Sequence, residues 1–143
     1  MAEPVGHPHR YELRVYYEDT DAGGVVYYAN YLGYAERART EMLRELGVES
    51  SRMMRDDKVA LAVRWCAVNY LRPAVLDDHL IVETSLQRVG GATLEAIQTV
   101  RRQDVDLVRI DLKLGCVSLD GGAARLPRGV SEILNGLINS NGS

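Results

Sequence analysis

One stretch of this chain keeps a helical period for about five turns, and the fold has to be built around it. From Asn30 to Leu46 the apolar residues Tyr31, Ala35, Ala38, Met42 and Leu46 recur at spacings of four, three, four and four, with Leu32 and Leu43 widening the stripe. Asn30 is placed as the N-cap, Gly47 as a left-handed C-terminal cap, and Arg37 with Glu41 as an i,i+4 pair on the outer face. The small members Gly33, Ala35 and Ala38 let another backbone come close, which suits a helix wrapped by a curved sheet. Alanine is also simply a good helix former, so the stripe alone does not decide this.

Nearly everything after the polar connection Ser50 to Lys58 has period two instead. Strands are expected over Val59 to Tyr70, His79 to Val89, Thr93 to Arg102 and Val105 to Leu119, separated by Pro73 with Asp77-Asp78, by Gly90-Gly91 and by Gln103-Asp104. Gly90-Gly91 between two alternating runs is a hairpin signal, so the later strands are antiparallel. A shorter strand, Tyr11 to Tyr17, precedes the helix, and a short C-terminal helix is expected around Ser131 to Ile138. One helix cannot cover five long strands unless the sheet curls around it or a second copy covers the remainder. The expectation is an α+β fold with a wrapped antiparallel sheet, assembled as a homo-oligomer.

The 143 residues suffice for one domain, taken as 11–138 behind a loose tail over 1–10 whose Pro4, Gly6 and Pro8 break any pattern. A formal charge of -3 argues against a nucleic-acid binder, while leaving room for a local basic patch facing a phosphorylated ligand. Cys66 and Cys116 have no ligand-spaced Cys or His around them, so both are expected as buried, reduced thiols, and no metal or other cofactor is implied. His7 and His9 read as tail residues. No run approaches the ~20 apolar residues of a membrane span or the core of a signal peptide, so a cytoplasmic protein is expected.

Between the first strand and the helix, Val15 to Tyr31 gathers Glu18, Asp19 and Asp21, the pair Gly23-Gly24 and five tyrosines. Adjacent glycines permit a sharp turn with exposed main-chain N–H groups, and the helix behind them aims its unpaired amides and positive dipole end at the same place. A carboxylate there faces a point where negative charge can develop.

The residues Tyr17 to Tyr27, then Asn30-Tyr31-Leu32, Glu36-Arg37-Ala38-Arg39-Thr40 and, more weakly, Arg72 to Asp78 resemble the hot-dog-fold acyl-CoA thioesterases. Within the 4-hydroxybenzoyl-CoA thioesterase family, the branch associated with the Tol-Pal system is most similar, over roughly residues 11 to 136. The resemblance implies a hot-dog fold with the helix inside a five-stranded sheet, and dimers with a continuous sheet paired into a homotetramer with sites between subunits. It implies hydrolysis of an acyl-CoA to a carboxylic acid and free coenzyme A. Asp21 matches the catalytic carboxylate, as nucleophile or general base, and the backbone N–H of Tyr28 matches the oxyanion donor. Tyr17 matches a supporting position, and Gly24 and Tyr27 belong to the substrate-binding turn. Tyrosine stands at 28 where the Tol-Pal-associated enzymes carry histidine, which leaves its side-chain role open.

The remaining polar residues read more plainly. Glu18 and Asp19 are expected to structure the turn or form salt bridges, Glu36 to form a salt bridge, Asp77 and Asp78 to form a turn, and His79 to lie at a strand edge. Arg64, Arg88, Arg125 and Arg128 are the candidates for the coenzyme phosphates, with Arg88, beside the Gly90-Gly91 hairpin, the first of them. Two alternatives stay open: a non-catalytic acyl-CoA-binding or Tol-Pal-associated scaffold, and a hot-dog hydratase or dehydratase. The second needs a histidine beside a carboxylate, and His79 is the only histidine outside the tail.

Overall fold

The structure, a computed structural model, describes residues 8–141. Its elements are β1 (His9–Arg14), α1 (Asn30–Glu45), α2 (Ser50–Arg52), β2 (Val59–Tyr70), β3 (His79–Val89), β4 (Thr93–Arg102), β5 (Val105–Ser118) and α3 (Arg128–Asn141). The five strands form one antiparallel sheet in the order β1-β3-β4-β5-β2. Of the tail expected over 1–10, residues 1–7, and with them His7, lie outside the described residues, while His9 and Arg10 belong to β1, paired with Thr84 and Glu83. That strand ends at Arg14 rather than Tyr17, because the buried Val15 leaves the ladder to bond Asp77 and Asp78. No described helix is long and apolar enough to cross a membrane.

The sheet closes on α1 through a single face. Val82, Val100 and Val108 align across β3, β4 and β5, as do Leu86, Ala96 and Leu112, and all six are buried. Facing them, α1 buries Tyr31, Tyr34, Ala35, Ala38, Met42 and Leu43, with Ala35 and Ala38 fully covered. Ala35 and Ala38 therefore set how closely sheet and helix approach, whereas Gly33 is exposed and a Cβ added there would meet nothing within 4 Å. Gly47, at φ +88°, ends α1 with two bonds running back, Gly47 N–H to the Arg44 carbonyl at 3.0 Å and Val48 N–H to the Leu43 carbonyl at 2.8 Å.

Local details depart from the sequence reading where tertiary partners compete. Asn30 is the first residue of α1 rather than its cap, since its Nδ2 donates to the Asp19 carbonyl at 2.8 Å. Glu41 pairs with Arg44 instead of Arg37. Lys58, at φ +58°, turns the chain into β2 after an irregular helical turn over Met53–Asp57. The C-terminal helix is longer than expected and packs on β3. Cys116 is buried, but Cys66 is exposed, because β2 is an edge strand whose middle residues have no covering layer among the described residues.

Candidate active site

The site is assembled by a compact turn at the N-terminal end of α1. After a 3-10 turn over Tyr17–Asp19, Thr20 and Val26 face each other as an isolated bridge, and Val25 bridges to Val75. Between them the Asp21 N–H donates to the Val25 carbonyl at 2.9 Å and the Gly24 N–H to the Asp21 carbonyl at 3.0 Å. The Gly23 N–H donates to Asp21 Oδ1 at 2.8 Å, the local bond by which aspartate stabilises a turn. Gly24, at φ +81°, occupies the left-handed region that favours glycine. A Cβ on Gly23 would sit 3.3 Å from Asp21 Oδ1, so both glycines hold the carboxylate close to the main chain.

Asp19 is the turn's structural carboxylate. Its Oδ2 accepts from the Tyr16 N–H at 2.8 Å, and its carbonyl accepts from the Tyr27 N–H at 3.0 Å and from Asn30. Burial, with the Asp19 charge adding, pushes the Tyr34 hydroxyl well above the usual tyrosine range. Glu18 is exposed and makes no ion pair among the described residues. Asp21 Oδ2 likewise has no hydrogen-bond partner among the described residues, and the side chain is exposed. One oxygen thus fixes the carboxylate while the other stays available to a substrate.

The Tyr28 N–H, two residues before α1 begins, has no acceptor among the described residues, and neither has that of Ala29, whereas the Tyr27 and Asn30 amides are used. An unspent N–H at a helix N-terminus suits an oxygen that gains negative charge. The Tyr28 carbonyl is occupied, accepting from the Tyr70 hydroxyl at 3.2 Å. The rings of Tyr27, Tyr28, Tyr31 and Tyr70 form a chain of contacts with centroids 4.8 to 6.2 Å apart. Beside them is a cavity of about 250 Å³ lined by Val26, Tyr28, Tyr31, Tyr70, Arg72 and Pro73, among others. The hydrogen bond with Tyr28 raises the pKa of Tyr27, and burial raises those of Tyr31 and Tyr70. All three therefore stay neutral at physiological pH. Tyr17 is 82% exposed and lends the turn only its carbonyl, which accepts from Thr20.

Asp21, Gly24, Tyr27 and Tyr28 are thus brought together in one loop. Arg88 is not: it lies at the opposite end of β3 from the Asp77-Asp78 turn that holds Val15, about 30 Å away at the rise of a strand. It pairs loosely with Glu95 at 3.9 Å, Arg125 lies against Gly91, and Arg64 lies across Gly115, whose neighbour in the ladder is Thr93. Three of the four arginines singled out for phosphates therefore gather at the β3–β4 hairpin, while Arg128 engages Glu132 at 3.0 Å. Asp78 does form its turn, accepting from the Val75 N–H, and also binds Arg102 at 2.6 Å. Glu36 makes no ion pair within this chain among the described residues, and His79 is exposed at the start of β3. Asn30 and Tyr31 lie within the stretch the sequence singled out, but Tyr70 was not legible as a member of the site, since it joins through a contact with Tyr28 far along the chain.

A long helix clasped by a five-stranded antiparallel sheet, with a carboxylate turn at the helix N-terminus, defines a hot-dog-fold protein. Residues 23 to 109 match the thioesterase superfamily model, a span that begins just after Asp21. The chain is 45% identical over 109 residues to an acyl-CoA thioesterase, YbgC, of Haemophilus influenzae, covering 76% of this chain and 80% of that one. It is 47% identical over 91 residues to an acyl-CoA thioester hydrolase, also YbgC, of Escherichia coli, covering 64% and 67%. Among solved structures, a probable thioesterase from Bartonella henselae superposes with a TM-score of 0.81 at 33% identity, over 84% of this chain and 99% of that one. The chain belongs to the thioesterase superfamily, among the hot-dog-fold acyl-CoA thioesterases.

Proposed function

We propose that this protein hydrolyses acyl-CoA thioesters through Asp21, with the Tyr28 N–H receiving the oxyanion. The observation that carries the reading is the pairing of a half-free carboxylate with an unspent helix N-terminal amide on one short turn. Asp21 either attacks the thioester carbonyl, expelling the CoA thiolate and leaving a mixed anhydride for water to cleave, or takes a proton from the water that attacks. Both routes place negative charge on the carbonyl oxygen, where a fixed N–H lowers the barrier. Gly24 and Tyr27 shape the seat of the thioester, and Tyr17 supports it from the rim. Neither metal nor redox cofactor is needed. The working unit is the single domain over 11–138, acting in the cytoplasm.

The same reading makes the protein a homo-oligomer. β2 is twelve residues long with an outer edge unpaired among the described residues, and Val63 and Trp65 on it are 50% and 56% exposed. Such an edge is a template for another strand, and a second copy pairing there extends the sheet into a dimer, doubled into a tetramer. Arg88, too far from Asp21 in its own chain, reaches substrate phosphates only across a subunit boundary.

Release of free thiol from a panel of acyl-CoAs tests the activity. Tight acyl-CoA binding without turnover would replace the hydrolase with a scaffold. Tyr28→Phe is expected to keep most of the activity, within about 3-fold, because it retains the amide. A loss as large as that from removing the Asp21 carboxylate would move the Tyr28 hydroxyl into the chemistry.

A further inference from the structure

Arg39 projects from α1 into the groove between that helix and β2. Its Nη1 donates to Gln98 Oε1 at 3.0 Å, and Gln98 is fully buried on β4. Gln98 in turn donates through Nε2 to the Ala35 carbonyl at 2.8 Å and to Thr84 Oγ1 at 2.9 Å, so the guanidinium is held by a buried amide whose own donors are engaged. No carboxylate lies within ion-pair distance of Arg39 among the described residues, and no other hydrogen bond uses its remaining donors. A guanidinium carries five N–H donors, and a half-buried one ordinarily finds an anionic partner. Burial lowers the Arg39 pKa, with Glu36 and Cys66 opposing, which shows how far it is withdrawn from water.

The groove offers that partner a place. Arg39 lines a cavity of about 420 Å³ whose apolar walls include Leu43, Met53, Leu61, Val63 and Leu114. The same two elements line this cavity and the one beside the reactive turn: α1 gives Arg39 to the first and Tyr31 to the second, β2 gives Val63 to the first and Tyr70 to the second, and the Tyr70 ring is 6.2 Å from that of Tyr28. The helix rises about 14 Å from its first residue, Asn30, to Arg39. Helical side chains lean toward the N-terminus, which shortens the gap further.

We propose that Arg39 is a specificity-determining residue: an acyl chain leaves the carbonyl at Tyr28, runs along the groove between α1 and β2, and presents a carboxylate at its far end to the Arg39 guanidinium. The inference rests on the acyl-CoA hydrolase reading and names its substrate class, a long dicarboxylic acyl thioester. Glu36 also lines the cavity, but it is exposed, so solvent and salt screen its repulsion of the incoming carboxylate.

The test compares decanoyl-CoA with its ω-carboxyl analogue. The wild-type enzyme should show a kcat/KM at least ~10-fold higher for the analogue, the scale of one charge-assisted hydrogen bond. Arg39→Met should reduce that preference ~10-fold or more, whatever it does to the turnover of decanoyl-CoA itself. A residue that only braced α1 against β4 would slow both substrates alike and leave their ratio unchanged, and that result overturns the proposal. Should Arg39→Met fail to fold, the wild-type ratio decides alone, because equal turnover of the two thioesters or a preference for the plain chain also overturns it. Turnover confined to acyl groups too short to reach Arg39 sinks this inference and leaves the hydrolase reading standing. Turnover of no acyl-CoA at all sinks both.

Discussion

Asp21→Asn is expected to lower acyl-CoA hydrolysis at least ~100-fold while the protein stays folded. The two side chains have the same shape, and the asparagine oxygen still accepts from the Gly23 N–H, so the turn between Thr20 and Val26 survives. Asp21 is exposed and contributes nothing to the buried layer between α1 and the sheet. What disappears is the negative charge, and with it both the nucleophile and the base. The measurement is thiol release at saturating and limiting substrate, beside a circular dichroism spectrum that reports α1 and the sheet. A folded variant with undiminished turnover would take Asp21 out of the chemistry and leave its aspartate as a turn former like Asp19.

If the proposed homo-oligomer forms through β2, Trp65→Asp is expected to dissociate it and to reduce activity at least ~10-fold. The indole is more than half exposed in one chain, so the substitution removes little internal packing and should change the stability of the chain by about 0.5 kcal/mol or less. At a strand edge, however, a charged side chain blocks pairing with another strand, and an aspartate enclosed there would have to be desolvated without a partner. Sedimentation should show the monomer. Hydrolysis should fall with it, since the arginines gathered at the β3–β4 hairpin then no longer reach a neighbour's substrate. A wild-type protein that sediments as a monomer with full activity would remove the inter-subunit site from the proposal. So would an oligomeric Trp65→Asp variant that turns over normally.

The regular part of this fold was legible because its signals are local. Three of the strands run as the alternation and the turn residues predict, from Val59, His79 and Thr93, and Gly47 stops α1 as its missing side chain allows. The Asp21 turn was legible for the same reason, since its aspartate, its glycines and the helix start are contiguous. The misplacements share one cause, a partner far along the chain. Asn30 reads as a cap until Asp19 claims its side chain, and β1 reaches Tyr17 only if Val15 is not diverted to Asp77 and Asp78. Cys66 reads as buried because apolar strands usually are, and nothing in its neighbourhood says that β2 lies at an edge. The ties of Arg39 to Gln98, Tyr70 to Tyr28 and Arg102 to Asp78 leave no periodic trace at all. Arg88 is beside the hairpin as expected, yet spacing along the chain could not show that β3 carries it away from Asp21.

The strand order also sets a timetable for folding. β3, β4 and β5 follow one another through hairpins, closing at Val89 with Leu94 and at Arg102 with Val105. β2 must wait for β5 to be made before Tyr70 can meet Val108 and Val59 can meet Ser118. Closing those larger loops costs more chain entropy, so β2 docks late, and pulse-labelled amide exchange during refolding should protect β4 and β5 before it. While it is undocked, β2 is a long apolar strand with both edges open, and the newly made edge of β5 is open as well. Completion of the fold and capture by another unfinished chain therefore compete for one strand, and refolding yield should fall as chain concentration rises.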